Sequence, residues 1–447
     1  ASGWSELASN PPRAAARVRS LGNGGGGGSA SGSGGAFPSK PALPAFACSE
    51  ETPHSQYHWT KGRQGRFMEG WYFKVAIDES TCVGRGGKTG SFAFMYSIED
   101  PDCLSPTSGI GAQVMGPQDS YMVQYSRDTR KFWGWTDALG LGCTFRSKAG
   151  APPGESAPAT MVGEQAFNDV VERGFQVSST WHQGHLNLES QGAGGYIKPG
   201  VKECAWAYRT ERVHGWGNTG SQQATAGWLA SLPVFEPHWQ ILMSYGLSSG
   251  WIQWGEDRYE FQNAPSYSEK NWGEGFPKRW FWIQCNTFED DEGCMAVTAG
   301  GGRRTLPFPL DEEDVALVGV HVAGKFFEFV PWEGEVTWNI STWGSWIMTG
   351  TNETHHVQLE ATTKSEGTVL RAPTVEGLNP ICKDTFEGEL IVRVWEKRRD
   401  GGLKLVIEKK STTAALEVGG GPWWDSWEGS AEMKEPLRTL TNLPINL

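Results

Sequence analysis

No stretch of the 447 residues comes near 18 consecutive apolar positions, so no transmembrane helix is expected and membrane contact should be peripheral. No C-x-x-C pair occurs among the eight cysteines, and a chain of this size has no need of a disulfide framework; they read as free thiols. H-E-x-x-H and Cys/His clusters are missing too. The nine histidines are dispersed: His182 and His185 lie three apart in strand-like sequence and so point to opposite faces, and His355–His356 reads as a loop pair. No metal site is therefore expected. There is no G-x-S-x-G elbow, and no glycine-rich stretch sits between a strand and a helix, which disfavours serine-hydrolase, nicotinamide, flavin and nucleotide chemistry. Positive charge is short as well. With 39 Lys and Arg against 51 Asp and Glu the net charge is −12, which argues against nucleic acid as the main partner.

What the chain has in abundance is aromatic surface and glycine. It carries 23 Trp, 20 Phe and 59 Gly, where ordinary usage is led by Leu, Ala and Gly. Trp brings large apolar area with one polar N–H, so many of them point to sheet surfaces and an aromatic-lined cavity. The N-terminal leader, residues 1–50, differs from the rest: up to residue 47 it has Arg13, Arg17 and Arg19 against the single acid Glu6, and then a Gly/Ser run. That leader is expected to be a transit-peptide remnant followed by a flexible linker. Beyond it the pattern is β almost throughout. "EVTWNISTW" alternates cleanly, and "MEGWYFKVAI", "GSFAFMYSI", "SYMVQYS", "KRWFWIQCN", "GKFFEFV", "ELIVRVWEKRR" and "KLVIEKK" read as strands between glycine-bearing turns. One short helix is expected at "LDEEDVALVG". Many short strands mean sandwiches or barrels, and about four hundred residues exceed one barrel. Two β domains are expected, 51–273 and 274–447, divided after the Asn271–Gly273 triplet.

A cofactor-free aromatic cavity with a few carboxylates suits one reaction class. Protonating an isoprenoid double bond gives a tertiary carbocation, which needs an acid, a dry site and π faces. The acid must stay protonated near neutral pH, so its pKa has to rise by roughly three units, about 4 kcal/mol, through burial. The stretch "EFQNAPSYSEKNWGEGFPKRWFWIQCN" has that appearance: Tyr267 and Glu269, in a turn, lead into the strand of Trp280 and Trp282.

"HWTKGRQGRFMEGWYFKV", "LPVFEPHWQILMSYGLSSGWI", the stretch just quoted and "HVAGKFFEFVPWEGEVTWNISTWGSW" resemble the tocopherol cyclases, plastid enzymes of vitamin E synthesis. The similarity runs from about Pro53 to the C-terminus, and extends more distantly to carotenoid 1,2-hydratases, which share the "GWYF" start and a Tyr-x-acid turn. The resemblance implies two lipocalin-like β-barrels and a chloroplast enzyme in peripheral contact with plastoglobule or thylakoid lipid. It implies closure of a prenylated benzoquinol, phytyl or geranylgeranyl, to a chromanol, with no metal or organic cofactor.

Carried onto this sequence, the Tyr-x-acid position is Tyr267 and Glu269, with Glu269 as proton donor and Tyr267 beside it on the same face. The alternative is a turn carboxylate paired with Lys270 or Lys278. His238 and Trp239 either line the cavity or belong to the core. Glu236 and Asp257 are reserve acids or exposed turn residues. Glu69 is the third reserve acid, with pinning of the first strand through Arg63 or Arg66 as the favoured reading. Trp71, Tyr72, Trp272, Trp280 and Trp282 are candidate cavity walls, with core packing as the alternative for each; strand alternation puts Trp280 and Trp282 on one face. Trp423, Trp424 and Trp427 form a candidate lipid-facing loop. Two other readings stay open: a lipocalin-like carrier of quinols or carotenoids, and a carbohydrate binder with exposed aromatic platforms. A carrier has no use for a buried acid of raised pKa.

Overall fold

A strand with apolar side chains on both faces needs a cover on each side. Met68–Ile77 is such a strand, and it sets the architecture. In the computed structural model, which describes residues 42–48, 50–84, 86–149, 157–188, 196–197, 201–231, 236–290, 293–305, 312–420, 425–434 and 438, nine of its ten residues are buried. The leader up to residue 41 lies outside the described residues.

The described chain is nearly all antiparallel β, in two large curled sheets that fit a lipocalin-like fold. The first, twelve-stranded sheet draws on residues up to Gly273; the second, eleven-stranded sheet begins at Arg279. In the first sheet Met68–Ile77 lies between Gly90–Glu99 and Asp257–Gly273, and Asp257–Gly273 pairs in turn with His238–Trp254. In the second, Arg279–Cys285 lies between Ala296–Thr305 and Leu403–Gly420, and Gly377–Lys397 follows next to Leu403–Gly420.

Alternation then sorts most of the buried side chains into three large cores. Trp71, Phe73 and Val75 fill the curl of the first sheet, and Phe281 and Ile283 that of the second. Tyr72 from one sheet meets Trp280 and Trp282 from the other in a third cluster between the two. That shared layer is where the candidate site lies.

Two expectations about local structure change. Tyr267 and Glu269 are not in a turn but well inside the seventeen-residue strand Asp257–Gly273. Its two ends follow different parities. Tyr259 and Phe261 pack into the first core, and unbroken alternation would send Tyr267 and Glu269 there too. A bulge intervenes: Ser248 faces Ala264 while Gly250 faces Phe261, so the strand holds one extra residue. Asn263, at φ 56°, takes the left-handed conformation, which Asn tolerates better than most residues, and its N–H donates to Ser249 Oγ at 2.9 Å. Beyond the bulge, Ala264 faces the first core while Tyr267 joins the layer between the sheets.

Of the helix expected at "LDEEDVALVG", all but the first two residues, which lie outside the described residues, belong instead to the strand Glu312–Val322, paired with Ala296–Thr305. Its acids and Ala favour helix locally, and sheet pairing overrides them. One α-helix stands among the described residues, Glu164–Val170.

Candidate active site

The shared layer opens into a cavity of about 210 Å³. Trp239, Glu269, Trp280, Trp282 and Leu317 are among the residues that line it. Glu269 is 8 % exposed and faces Tyr72 across the strand pair. One of its oxygens is crowded. Oε2 accepts the Tyr267 hydroxyl at 2.6 Å, the Trp239 indole N–H at 2.8 Å and the Trp282 indole N–H at 3.2 Å. No described residue donates to Oε1. A carboxyl group held in this way carries its proton on Oε1, since the three donors need Oε2 as an acceptor.

Those donors favour the ionised form, but burial outweighs them. Desolvation, helped by the charge of Glu417, pushes the Glu269 carboxyl up to about 7, against the hydrogen bonds from Tyr267, Trp239 and Trp282. Near neutral pH the group is therefore poised between acid and base. Burial likewise keeps the Tyr267 phenol well above its ordinary range, so it stays a neutral donor. Trp282 stands over both: its ring lies 5.9 Å from Tyr267 and 5.3 Å from Tyr72, both at steep angles.

His238 lines the cavity as well, and burial, then the nearby His54, lowers it to about 4, leaving a neutral imidazole near pH 7. Trp272 stacks on His238 at 4.7 Å and on His58 at 4.1 Å, so it supports the wall without being part of it. Trp71 lies on the far face of its strand, in the first core, with the Lys270 ammonium 5.6 Å from its ring centre. The neighbours Trp71 and Tyr72 thus serve different cores.

The other acids are held elsewhere. Asp257 sits at the opposite end of the Glu269 strand, exposed, and pairs with Lys88. Glu236 takes Arg63 at 2.9 Å. Glu69 does pin the first strand, but not through an arginine: its partners are the buried Lys270 ammonium and the His58 backbone N–H at 2.8 Å. Arg66 is turned instead to Glu99 and Asp100. Lys270 points away from Glu269, and Lys278 pairs with Glu312 at 2.7 Å, so neither lysine neutralises Glu269. Trp427 is buried against Phe281 and Trp338 rather than exposed, and Trp423 and Trp424 lie outside the described residues. No cluster of His, Cys, Asp and Glu among the described residues could hold a metal ion.

Sequence reasoning missed Glu417, which also lines the cavity and accepts the Trp280 indole N–H. The available signal was "TTAALEVGG": Leu416 and Val418 are core residues, which leaves Glu417 on a face of small residues, Ala415 and Gly419.

Residues 65–420 match the family model described as tocopherol cyclase-like. The chain is 45% identical over 430 residues to the maize protein "Tocopherol cyclase, chloroplastic", covering 92% of this chain and 87% of that one. It is 46% identical over 411 residues to the rice protein "Probable tocopherol cyclase, chloroplastic", covering 89% and 84%. Among solved structures, an AttH protein from Nitrosomonas europaea aligns over 85% of this chain and 99% of its own at 12% identity, with a TM-score of 0.39, too low to bear on the assignment. Identity at this level over most of both chains, with a family match across residues 65–420, is decisive: the chain belongs to the tocopherol cyclase family of enzymes.

Proposed function

We propose that the enzyme closes prenylated benzoquinols, with phytyl or geranylgeranyl tails, to chromanols, and that Glu269 supplies the proton. The observation that supports this reading is one carboxyl group with two unlike oxygens. Oε2 is fixed by Tyr267, Trp239 and Trp282, while Oε1 has no described donor and the residue lines an apolar cavity. The proton on Oε1 passes to the alkene carbon nearest the ring, and the positive charge develops on the neighbouring tertiary carbon. The Trp239, Trp280 and Trp282 rings line the space around it, and a π face stabilises a desolvated cation by about 2 kcal/mol or more. The ortho hydroxyl oxygen then closes on the cation. Tyr267 acts as the hydroxyl that orients the acid, and neutral His238 offers a hydrogen bond to a quinol hydroxyl. The chemistry calls for a redox-neutral shift of a proton, and no cofactor enters it.

Replacing Glu269 by Gln keeps the shape and removes the acid. Chromanol formation from a phytyl benzoquinol in detergent micelles should fall about 10²–10⁴-fold, with substrate binding retained. An E269Q enzyme of wild-type rate sinks the assignment and moves the search to His238 and the remaining acids.

The chloroplastic relatives support a chloroplast location, and we place the enzyme in peripheral contact with plastoglobule or thylakoid lipid. Among the described residues no helix is long and apolar enough to cross a membrane. Fractionation of chloroplasts tests this: recovery in the soluble fraction alone refutes the lipid contact.

A further inference from the structure

Ring closure releases a proton as well as consuming one. The attacking hydroxyl loses its hydrogen inside a cavity from which water must be kept, or water would capture the cation. A second group has to take that proton, and the cavity wall holds a second carboxyl group.

Strand register puts it in place. On the face between the two sheets, Glu417 is the direct cross-strand neighbour of Trp282, and Asp384 is the direct neighbour of Glu417. Trp282 thus has an acid on each side: Glu269, to which it donates, and Glu417, beside it in the sheet. Glu417 lines the same cavity as Glu269 and keeps part of its surface accessible. Asp384 is fully buried and takes no side-chain hydrogen bond.

Two carboxyl groups directly opposite each other in a buried sheet cannot both ionise. Their surroundings divide the charge. Burial raises Glu417 as well, but it is opposed there by a hydrogen bond with the Cys382 thiol and by the Trp280 N–H, both of which favour its ionised form. Asp384 has burial and the charges of Glu417 and Asp119 against it, relieved a little by the Thr385 backbone and then by Lys74, and is held well above the ordinary carboxylate range. Lys74, itself buried, bonds Gln284 at 2.9 Å, and burial brings its ammonium down to about 8. The pair therefore keeps one proton, on Asp384, and one negative charge, on Glu417, next to the cavity.

The geometry points to Glu417 as the base of the ring closure, its carboxylate taking the proton of the attacking hydroxyl. This rests on Glu269 being the acid. Glu269 gives its proton to the alkene carbon, and a C–H bond forms. The hydroxyl oxygen bonds to the tertiary carbon as its O–H bond breaks, and that proton goes to Glu417. No electrons are gained or lost, and the protein's proton count is unchanged. The proton returns from Glu417 to Glu269 through water that enters as the product leaves.

Turnover in D₂O tests the two roles separately, with a phytyl benzoquinol in detergent micelles and mass analysis of both chromanol and recovered quinol. Wild type should give chromanol carrying one deuteron beside the new ether carbon. Glu417→Gln leaves the acid but not the base. Chromanol should fall about 10²–10⁴-fold, while the cation forms and reverts, so that deuterium accumulates in the prenyl chain of the recovered quinol. Glu417→Asp, which withdraws the carboxylate by one methylene, should show the same partition more weakly, and it carries the test if E417Q does not fold. Chromanol at the wild-type rate from E417Q overturns the assignment. So does an exchange-to-chromanol ratio that does not rise in either variant, because Glu417 then acts before the cation exists or not at all. Failure of the Glu269 reading looks different: E269Q would still exchange deuterium into the quinol.

Discussion

Replacing Trp239 by Phe should make the enzyme work at higher pH than the wild type. The Trp239 N–H donates to Glu269 Oε2 at 2.8 Å, and Phe keeps most of the ring while removing that donor. A hydrogen bond to a charged group contributes about 1.5–3 kcal/mol, and to a neutral one about 0.5–1.5. The ionised carboxylate therefore loses about 1–1.5 kcal/mol more than the protonated acid does, which at ~1.36 kcal/mol per unit raises the pKa by about one unit. The sign is fixed by the chemistry. With Glu269 as the proposed proton donor the acid form is the active one, so activity is present below the pKa and lost as pH rises through it. Wild type should lose kcat/KM with a midpoint near the value of about 7 to which burial pushes Glu269. W239F should lose it about one unit higher. The assay is the pH profile of chromanol formation in detergent micelles between about pH 5 and 9, with binding measured alongside. A midpoint that stays put or moves down in W239F refutes the reasoning, since it means that Glu269 is not the group titrating.

Two further outcomes follow from side chains away from the cavity. Lys270→Ala leaves the Glu69 carboxylate buried with no ammonium beside it and should cost about 3–5 kcal/mol in urea denaturation, whereas Glu69→Gln combined with Lys270→Met should recover most of the loss; equal destabilisation by both would mean packing rather than charge is at stake. Asp257→Asn removes an exposed partner of Lys88 at the far end of the strand, and the cyclisation rate should stay within about twofold of wild type, with stability changed by under about 1 kcal/mol.

The β character and the side chains that share a face were legible because they are local. Tyr267 and Glu269 are two apart, and so are Trp280 and Trp282; in a strand that spacing alone puts each pair on one face. What could not be read was which face. Trp71 and Tyr72 look alike in "GWYF", yet one packs into the first core and the other into the layer between the sheets. The helix expected at "LDEEDVALVG" failed for a related reason: Val315 and Leu317 line the cavity two apart, a spacing that competes with the helical propensity of the acids around them. Glu417 and Asp384 sit in unrelated stretches of sequence and become neighbours only through strand register. Glu69 was placed correctly as an anchor but given the wrong partner, because Arg63 and Arg66 are near it in sequence and Lys270, two hundred positions on, is near it in space.

The bulge at Asn263 has a consequence for how this strand tolerates change. A strand behaves as a counter modulo two, and the extra residue at Asn263 resets the count. Removing Asn263 itself takes out the residue that the bulge already absorbs, so Glu269 keeps its address in the cavity. Removing one residue farther on, such as Ser266, inverts the count for everything after it and delivers the acid to the wrong compartment. In this part of the chain insertions and deletions are filtered by parity and position, with the identity of the lost side chain a secondary matter.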